Sequence, residues 1–273
     1  MPLVLSLKQP TSIPIEVDTV RMKMVRTQTA SEVGATRIHY GNKTPALSDF
    51  FEVSGSAADD AEIIWEGDCS QVKLIGTGLT EGRVVVRGNA GMHVGAEMRG
   101  GEITVHGNTG DWLGAEMHGG RIRVHGNAGH LVGAAYRGAR RGMTAGEILI
   151  DGHAGNEVGN SMRRGLIAIG GTAGDAIGYN LIAGTILVFG GSGIRPGSGM
   201  RRGTIGLLGP TAPPLLPTFR PAGPSRPVYL QIYLRHLKQQ GFAVPDDCFH
   251  LAYDRHCGDF LEYGKGEILV RAS

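Results

Sequence analysis

Six histidines lie in the middle of this 273-residue sequence: His93, His106, His118, His125, His130 and His153. His106 and His125 are nineteen residues apart, each in a Val-His-Gly setting. On adjacent strands of one ladder they would sit about 5 Å apart, near enough to share a metal ion. No carboxylate or cysteine joins the pair at ligand spacing, so surface ladder residues are the simpler reading. Glu97 with Glu116, and Asp111 with Asp175, also share repeat positions and suggest paired carboxylates for acid–base work. No nucleophile or base is fixed beside them, which favours solvated corners. Gly76 with Gly78, and Gly191 with Gly193, look like fragments of a nucleotide loop, but neither continues into G-x-G-x-x-G or opens a helix. The nine-residue aspartate period of calcium-binding glycine repeats is absent.

The strongest polar pattern is a column of arginines. Arg99, Arg137, Arg163 and Arg201 share one repeat position, Arg164 and Arg202 stand beside two of them, and Arg140 and Arg141 extend the edge. Aligned guanidinium groups suit carboxylate or phosphate partners. The competing readings are a solvated face or a salt-bridge seam between subunits. Nucleic acid fits poorly, because the net charge is only +2 and aromatic residues are not interleaved.

A glycine ladder must position these residues. Gly82, Gly101 and Gly120 open three repeats of nineteen residues, and Gly146, Gly165, Gly184 and Gly203 open four more. Within each, apolar residues alternate, as in Val84 and Val86 or Ile103 and Val105, which predicts a short strand with one buried face. Such a unit cannot bury its own apolar side and must stack on its neighbours. The expected fold is all-β: a single-stranded, right-handed parallel β-helix of about seven coils, roughly 30 Å long at strand spacing. One interruption, read as residues 139–145, must leave the column as a surface loop.

The expected organisation is a strand cap over residues 1–60, the β-helix over 61–209, and a strap, helix and closing strand over 210–273. Leu3 to Leu7 and Ile13 to Val17 suggest strands. The segments after Phe50 and Ile63 resemble degenerate first coils. Prolines 210, 213, 214, 217, 221, 224 and 227 predict an extended strap outside any ladder. Leu230, Tyr233, Leu234 and Leu237 predict a helix over 228–240, stopped by Gly241, and Gly266 to Val270 a final strand. Three cysteines without CxxC spacing, no signal peptide and no membrane-length apolar run point to a cytoplasmic protein without a membrane partner.

The motif G-x-I-x-V-x-G-N-x-G-x-x-x-G-A-x-M, from Gly101 to Met117, resembles the β-helical domain shared by the glutamate synthase large subunit and the C subunit of formylmethanofuran dehydrogenases. Leu47-Ser48-Asp49-Phe50-Phe51 before the array and Gly258-Asp259-Phe260 after it are similar to that C subunit. A composition rich in Arg, Ala and Gly favours the bacterial formyltransferase/hydrolase form over the tungsten or molybdenum dehydrogenase. The resemblance implies a non-catalytic scaffold with no cofactor or metal of its own. It also implies A, B and D type subunits as partners, which carry the metal centre and handle tetrahydromethanopterin and a methanofuran-type (methylofuran) carrier with an acidic, glutamate-containing tail. It transfers no catalytic residue; Arg99, Arg137, Arg163, Arg201, Arg140 and Arg141 are candidates for contacting that tail or a partner. The rivals are a glutamate-synthase-type domain and a β-helical enzyme acting on acidic polysaccharide.

Overall fold

The structure is a computed structural model and describes residues 1–272. The chain is mostly β, dominated by a thirteen-stranded, mostly parallel sheet. Its central strands are Glu62–Glu66, Arg83–Arg87, Glu102–Val105, Arg121–Val124, Glu147–Ile150, Leu166–Ile169, Thr185–Val188 and Arg202–Leu207, each hydrogen-bonded in parallel to the next. Equivalent residues align without slippage: Val84 opposes Ile103, Ile103 opposes Ile122, and Ile122 opposes Ile148. A second parallel ladder of single bridges runs Cys69, Ala90, Thr109, Ala128, Ala154, Ala173 and Ser192. Each repeat thus contributes one strand and one bridge, and the alternating inward residues, such as Val84, Val86, Ile103, Val105, Ile122 and Val124, are buried together with Val94, Leu113, Val132 and Val158.

Two of the glycine columns meet different physical demands. Gly95, Gly114, Gly159 and Gly178 have φ between 60 and 70°, a region costly for residues with a Cβ. An added Cβ there would also lie 2.5–2.6 Å from an isoleucine Cδ1 of a following repeat, such as Ile122 above Gly95. Gly126 and Gly190 have ordinary φ, yet a Cβ on either would approach the Gly107 or Gly171 carbonyl oxygen within 2.6 Å. The first column turns the chain, and the second lets stacked backbones meet.

The interruption is displaced from its expected place. The Met143 amide donates to Gly133 O at 2.8 Å and its carbonyl accepts from Arg163 N, while Thr144 N donates to Met117 O. These bonds put Met143 in the methionine column with Met98, Met117 and Met162, all fully buried. The extra residues are therefore 136–142, and Met143-Thr144-Ala145 belong to the column. Ala135 marks the exit: its counterparts Glu97, Glu116, Ser161 and Asn180 are left-handed, with φ of 52–57°, and Ala135 is not among the positive-φ residues.

Both ends differ in detail from expectation. Leu3–Leu7 pairs in parallel with Glu62–Glu66, but Phe51–Ser54 runs antiparallel to it and so is no coil. Short helices at Met22–Val25 and Ala30–Gly34 went unanticipated. The expected second strand forms at Ile15–Glu16. At the other end Lys265–Arg271 extends the parallel ladder from Arg202–Leu207, as expected, followed by antiparallel Tyr253–Gly258 and Arg220–Ser225. The last of these is a proline-bearing strand rather than a strap free of any ladder. It is tolerated because it sits at the sheet edge with a register shift between Pro221 and Pro224. The helix forms at Val228–Gln239, with Gly241 at φ +72° beyond it. Leu230, Leu234 and Leu237 pack on Leu149, Leu166, Ala168 and Leu187, so that stretch of sheet is buried on both faces.

The displaced register has a measurable consequence. Met143→Ala should lower unfolding free energy by about 2–5 kcal/mol, as for a buried methionine, whereas Arg140→Ala should change it by less than about 0.5 kcal/mol. Urea denaturation showing equal, small effects would place Met143 in the loop instead.

Candidate functional site

Where strand meets strand, arginines are neutralised by a carboxylate on a neighbouring repeat. Arg121 lies 3.5 Å from Glu102 and 3.1 Å from Glu147, Arg87 lies 2.8 Å from Glu66, and Arg123 lies 2.5 Å from Asp151. The inserted loop's edge departs from this pattern. Arg140, Arg141, Arg163 and Arg164 line one groove with Glu116 and His118, and the same four continue into a second with Arg201, Arg202 and Tyr263. Among the described residues only Arg201 of these six lies within 4.0 Å of a carboxylate oxygen, at 3.4 Å from Glu262. Six guanidinium groups thus line two adjoining grooves, five of them with no carboxylate oxygen within 4.0 Å, a charge arrangement chemically suited to an extended anion.

Four of the six expected residues, Arg140, Arg141, Arg163 and Arg201, therefore come together. Arg99 and Arg137 do not line the groove. Thr144 holds the place in the column that Arg137 was expected to occupy, with His118 Nδ1 2.8 Å from its Oγ1, because the chain leaves the column before Arg137 and returns after it. Arg164 and Arg202, the neighbours of the expected residues, complete the set.

The other polar columns are structural. Asp111 Oδ1 accepts from His130 N at 2.7 Å, His130 Nδ1 from Asn156 N at 2.9 Å, Asn156 Oδ1 from Asp175 N, and Asp175 Oδ1 from Ile194 N. A parallel series runs from Asn89 through Asn108 and Asn127 to His153 and Thr172. Each side chain satisfies an amide of the next repeat, so Asp111 and Asp175 are ladder acceptors rather than merely solvated. His106 and His125 stack at 5.3 Å between ring centroids. A carboxylate does join them: Asp151 Oδ2 lies 2.8 Å from His125 Nδ1. It stands twenty-six residues on, and allowing for the insertion brings it to the same repeat position. Among the described residues no group of three or more His, Cys, Asp and Glu is placed to hold a metal. The Cys69 thiol is buried and pushed up to about 12, far from a reactive thiolate.

The loop that supplies Arg140 and Arg141 is held at its base by aromatic stacking. Tyr136 lies 4.9 Å from Trp112 and 5.6 Å from His93 between ring centroids, and its hydroxyl is 2.9 Å from His93 Nδ1. Tyr136 N donates to Glu116 Oε1, and Gly142 N to Ser161 O. Burial, reinforced by Lys73, holds His93 below the usual histidine value against the opposing pull of Glu16 and Asp111. Burial and the charges of Glu97 and Glu116 push the Tyr136 phenol up to about 12.

No family model matches the chain. Over nearly its whole length it is similar to a chain in the crystal structure of the formyltransferase/hydrolase complex (FhcABCD) from Methylorubrum extorquens in complex with methylofuran. The likeness has TM-score 0.91 and 31% identity, covering 99% of this chain and 100% of that one. The chain is 38% identical over 97 residues to the C subunit of the tungsten-containing formylmethanofuran dehydrogenase 2 of Methanothermobacter wolfeii. It is 42% identical over 95 residues to the C subunit of the molybdenum-containing formylmethanofuran dehydrogenase 1 of Methanothermobacter marburgensis. These two alignments take in 34% and 35% of this chain, and span 36% and 24% of those curated relatives. The chain belongs to the family of formylmethanofuran dehydrogenase C subunits.

The lowered pKa of His93 sets the sign of a pH effect. Because the unfolded histidine binds a proton more readily, the clamp's contribution is complete above about pH 6.5 and is lost as pH falls below it. Amide exchange of residues 136–142, corrected for the intrinsic pH dependence of exchange, should accelerate between pH 7.5 and 5 in the native protein. His93→Gln should flatten that response. A pH response that survives the substitution would assign it to another group.

Proposed function

We propose that this chain is the structural, non-catalytic C subunit of a formyltransferase/hydrolase complex. That complex transfers a formyl group between tetrahydromethanopterin and a methylofuran-type carrier and hydrolyses the formyl carrier to formate, in one-carbon oxidation. The observation that carries this reading is the whole-length likeness to a chain of the M. extorquens complex. The dehydrogenase relatives match in sequence over about a third of the chain, and the choice of the hydrolase form rests on the whole-length structural likeness. On this reading A, B and D type subunits supply the catalytic machinery, including the metal centre.

In the same proposal the stacked repeats wind as a single-stranded, right-handed parallel β-helix over residues 61–209, capped by residues 1–60 and closed by 210–273. The in-register strands and the second ladder of bridges support it. A column of this kind is stiff because every repeat is bonded to two others, and stiffness is what a scaffold contributes. No helix among the described residues is long and apolar enough to cross a membrane.

The arginine groove is proposed to seat the carrier's acidic tail. Its unneutralised guanidinium groups offer paired donors to successive carboxylates, and its open form suits a chain that slides in lengthwise. Replacing Arg140, Arg141, Arg163 and Arg164 together with Ala should weaken carrier binding by the purified complex about fourfold or more at low salt. This assumes exposed charge pairs of about 0.2–1 kcal/mol each, and the difference should shrink at about 0.5 M salt. Arg99→Ala and Arg137→Ala should bind as the wild type does. Equal affinity of all variants at low salt would remove the groove from carrier binding, while mass spectrometry of the native complex tests subunit membership separately.

A further inference from the structure

At the Arg201–Arg202 end of the second groove, which Tyr263 helps to line, one turn exposes apolar side chains that a monomer would ordinarily bury. Within residues 259–264 Phe260 is 50%, Leu261 81% and Tyr263 65% exposed. Single exposed apolar residues are commonplace, but three within four positions mark an interaction site. The turn is also built to hold its shape. Asp259, only 3% exposed, accepts from Gly199 N at 3.1 Å through Oδ2 and from Leu261 N at 3.0 Å through Oδ1. Its carbonyl accepts from Glu262 N and Gly264 N, and Phe260 N donates to Thr218 O. A buried carboxylate and three backbone bonds therefore fix a turn whose tip is left open to solvent. Side chains presented on such a rigid support lose little entropy on docking.

The charge around the tip indicates the partner. Arg201, Arg202, Arg220 and Lys265 are exposed about it, Arg220 lying 5.1 Å over the Phe260 ring. The exposed carboxylate on the turn, Glu262, is already paired with Arg201. A second copy docking through the same patch would set arginine against arginine. A folded protein offering an apolar cleft rimmed by carboxylates meets both features.

We propose that Leu261 and Tyr263, on the pinned turn at 259–264, are the apolar anchor by which this chain docks a neighbouring protein subunit with a carboxylate-rimmed apolar cleft. The proposal rests on the reading of the chain as one subunit of a larger complex, and it assigns that complex a contact surface.

The test co-produces tagged full-length chain with its A, B and D type subunits and compares wild type with Leu261→Asp/Tyr263→Ser. The double variant, checked by circular dichroism and thermal unfolding, should fold as the wild type does and retain at most about a tenth of the co-purifying partner. The milder Leu261→Ser serves if the double variant misfolds. Wild type and variant assembling equally well would overturn the anchor and leave the subunit reading standing. Wild type failing to assemble with these subunits would overturn the subunit reading and the anchor together. Leu261-dependent dimerisation of the isolated chain, or Leu261-dependent binding to phosphatidylglycerol vesicles, with assembly unchanged, would replace the proposed partner by a second copy or a membrane surface.

Discussion

Register between successive repeats is the constraint on which the molecule depends. Each repeat satisfies its backbone groups by bonding to the repeats on either side, as when Gly95 N donates to Ile75 O and Gly114 N to Val94 O. A slip of one residue would turn every inward Ile or Val outward. Side chains reinforce the same register, because Asn89, Asn108 and Asn127 can each reach the next amide only when equivalent positions stack. The isoleucine columns fill the space that glycine leaves open, so turns, core and ladder are one arrangement seen from three sides.

That arrangement dictates how irregularity is accommodated. Seven extra residues cannot enter a column whose neighbours are already paired, so they leave together between Ala135 and Met143, and the segment's ends stay bonded to the next repeat through Asn160 and Ser161. The loop stays close because Tyr136 folds onto Trp112 and His93, which brings Arg140 and Arg141 beside Arg163 and Arg164. A departure from the repeat thereby concentrates positive charge that the regular part of the ladder neutralises with Glu102, Glu147 and Asp151.

The ends answer the problem of an open sheet in different ways. Leu3–Leu7 is sandwiched between a parallel and an antiparallel neighbour, and the far edge is occupied by the proline-bearing strand Arg220–Ser225, which has few amides to offer another chain. The C-terminal helix covers the outer face where Leu149, Leu166, Ala168 and Leu187 replace the Arg, Glu and Thr residues of earlier repeats. His236 Nε2, 2.6 Å from Glu147 Oε1, ties its last turn to the charged ladder.

The sequence by itself determined the period, the strands of the repeats, the buried columns, the C-terminal helix and the closing strand, because glycine placement and apolar periodicity are local consequences of backbone sterics and burial. The helix-covered stretch went unread, although the strands change from alternating to continuous apolar residues after Gly146. The exit point of the loop was not legible: Tyr136-Arg137-Gly138 imitates Met98-Arg99-Gly100 in spacing and character. Only the competition between Tyr136, which stacks on Trp112, and Met143, which fills the column interior, decides which segment stays inside. The groove likewise is a tertiary property. Whether an arginine is neutralised or free depends on which carboxylate lies across a neighbouring repeat or a distant turn, and only the folded column brings such residues within reach of one another.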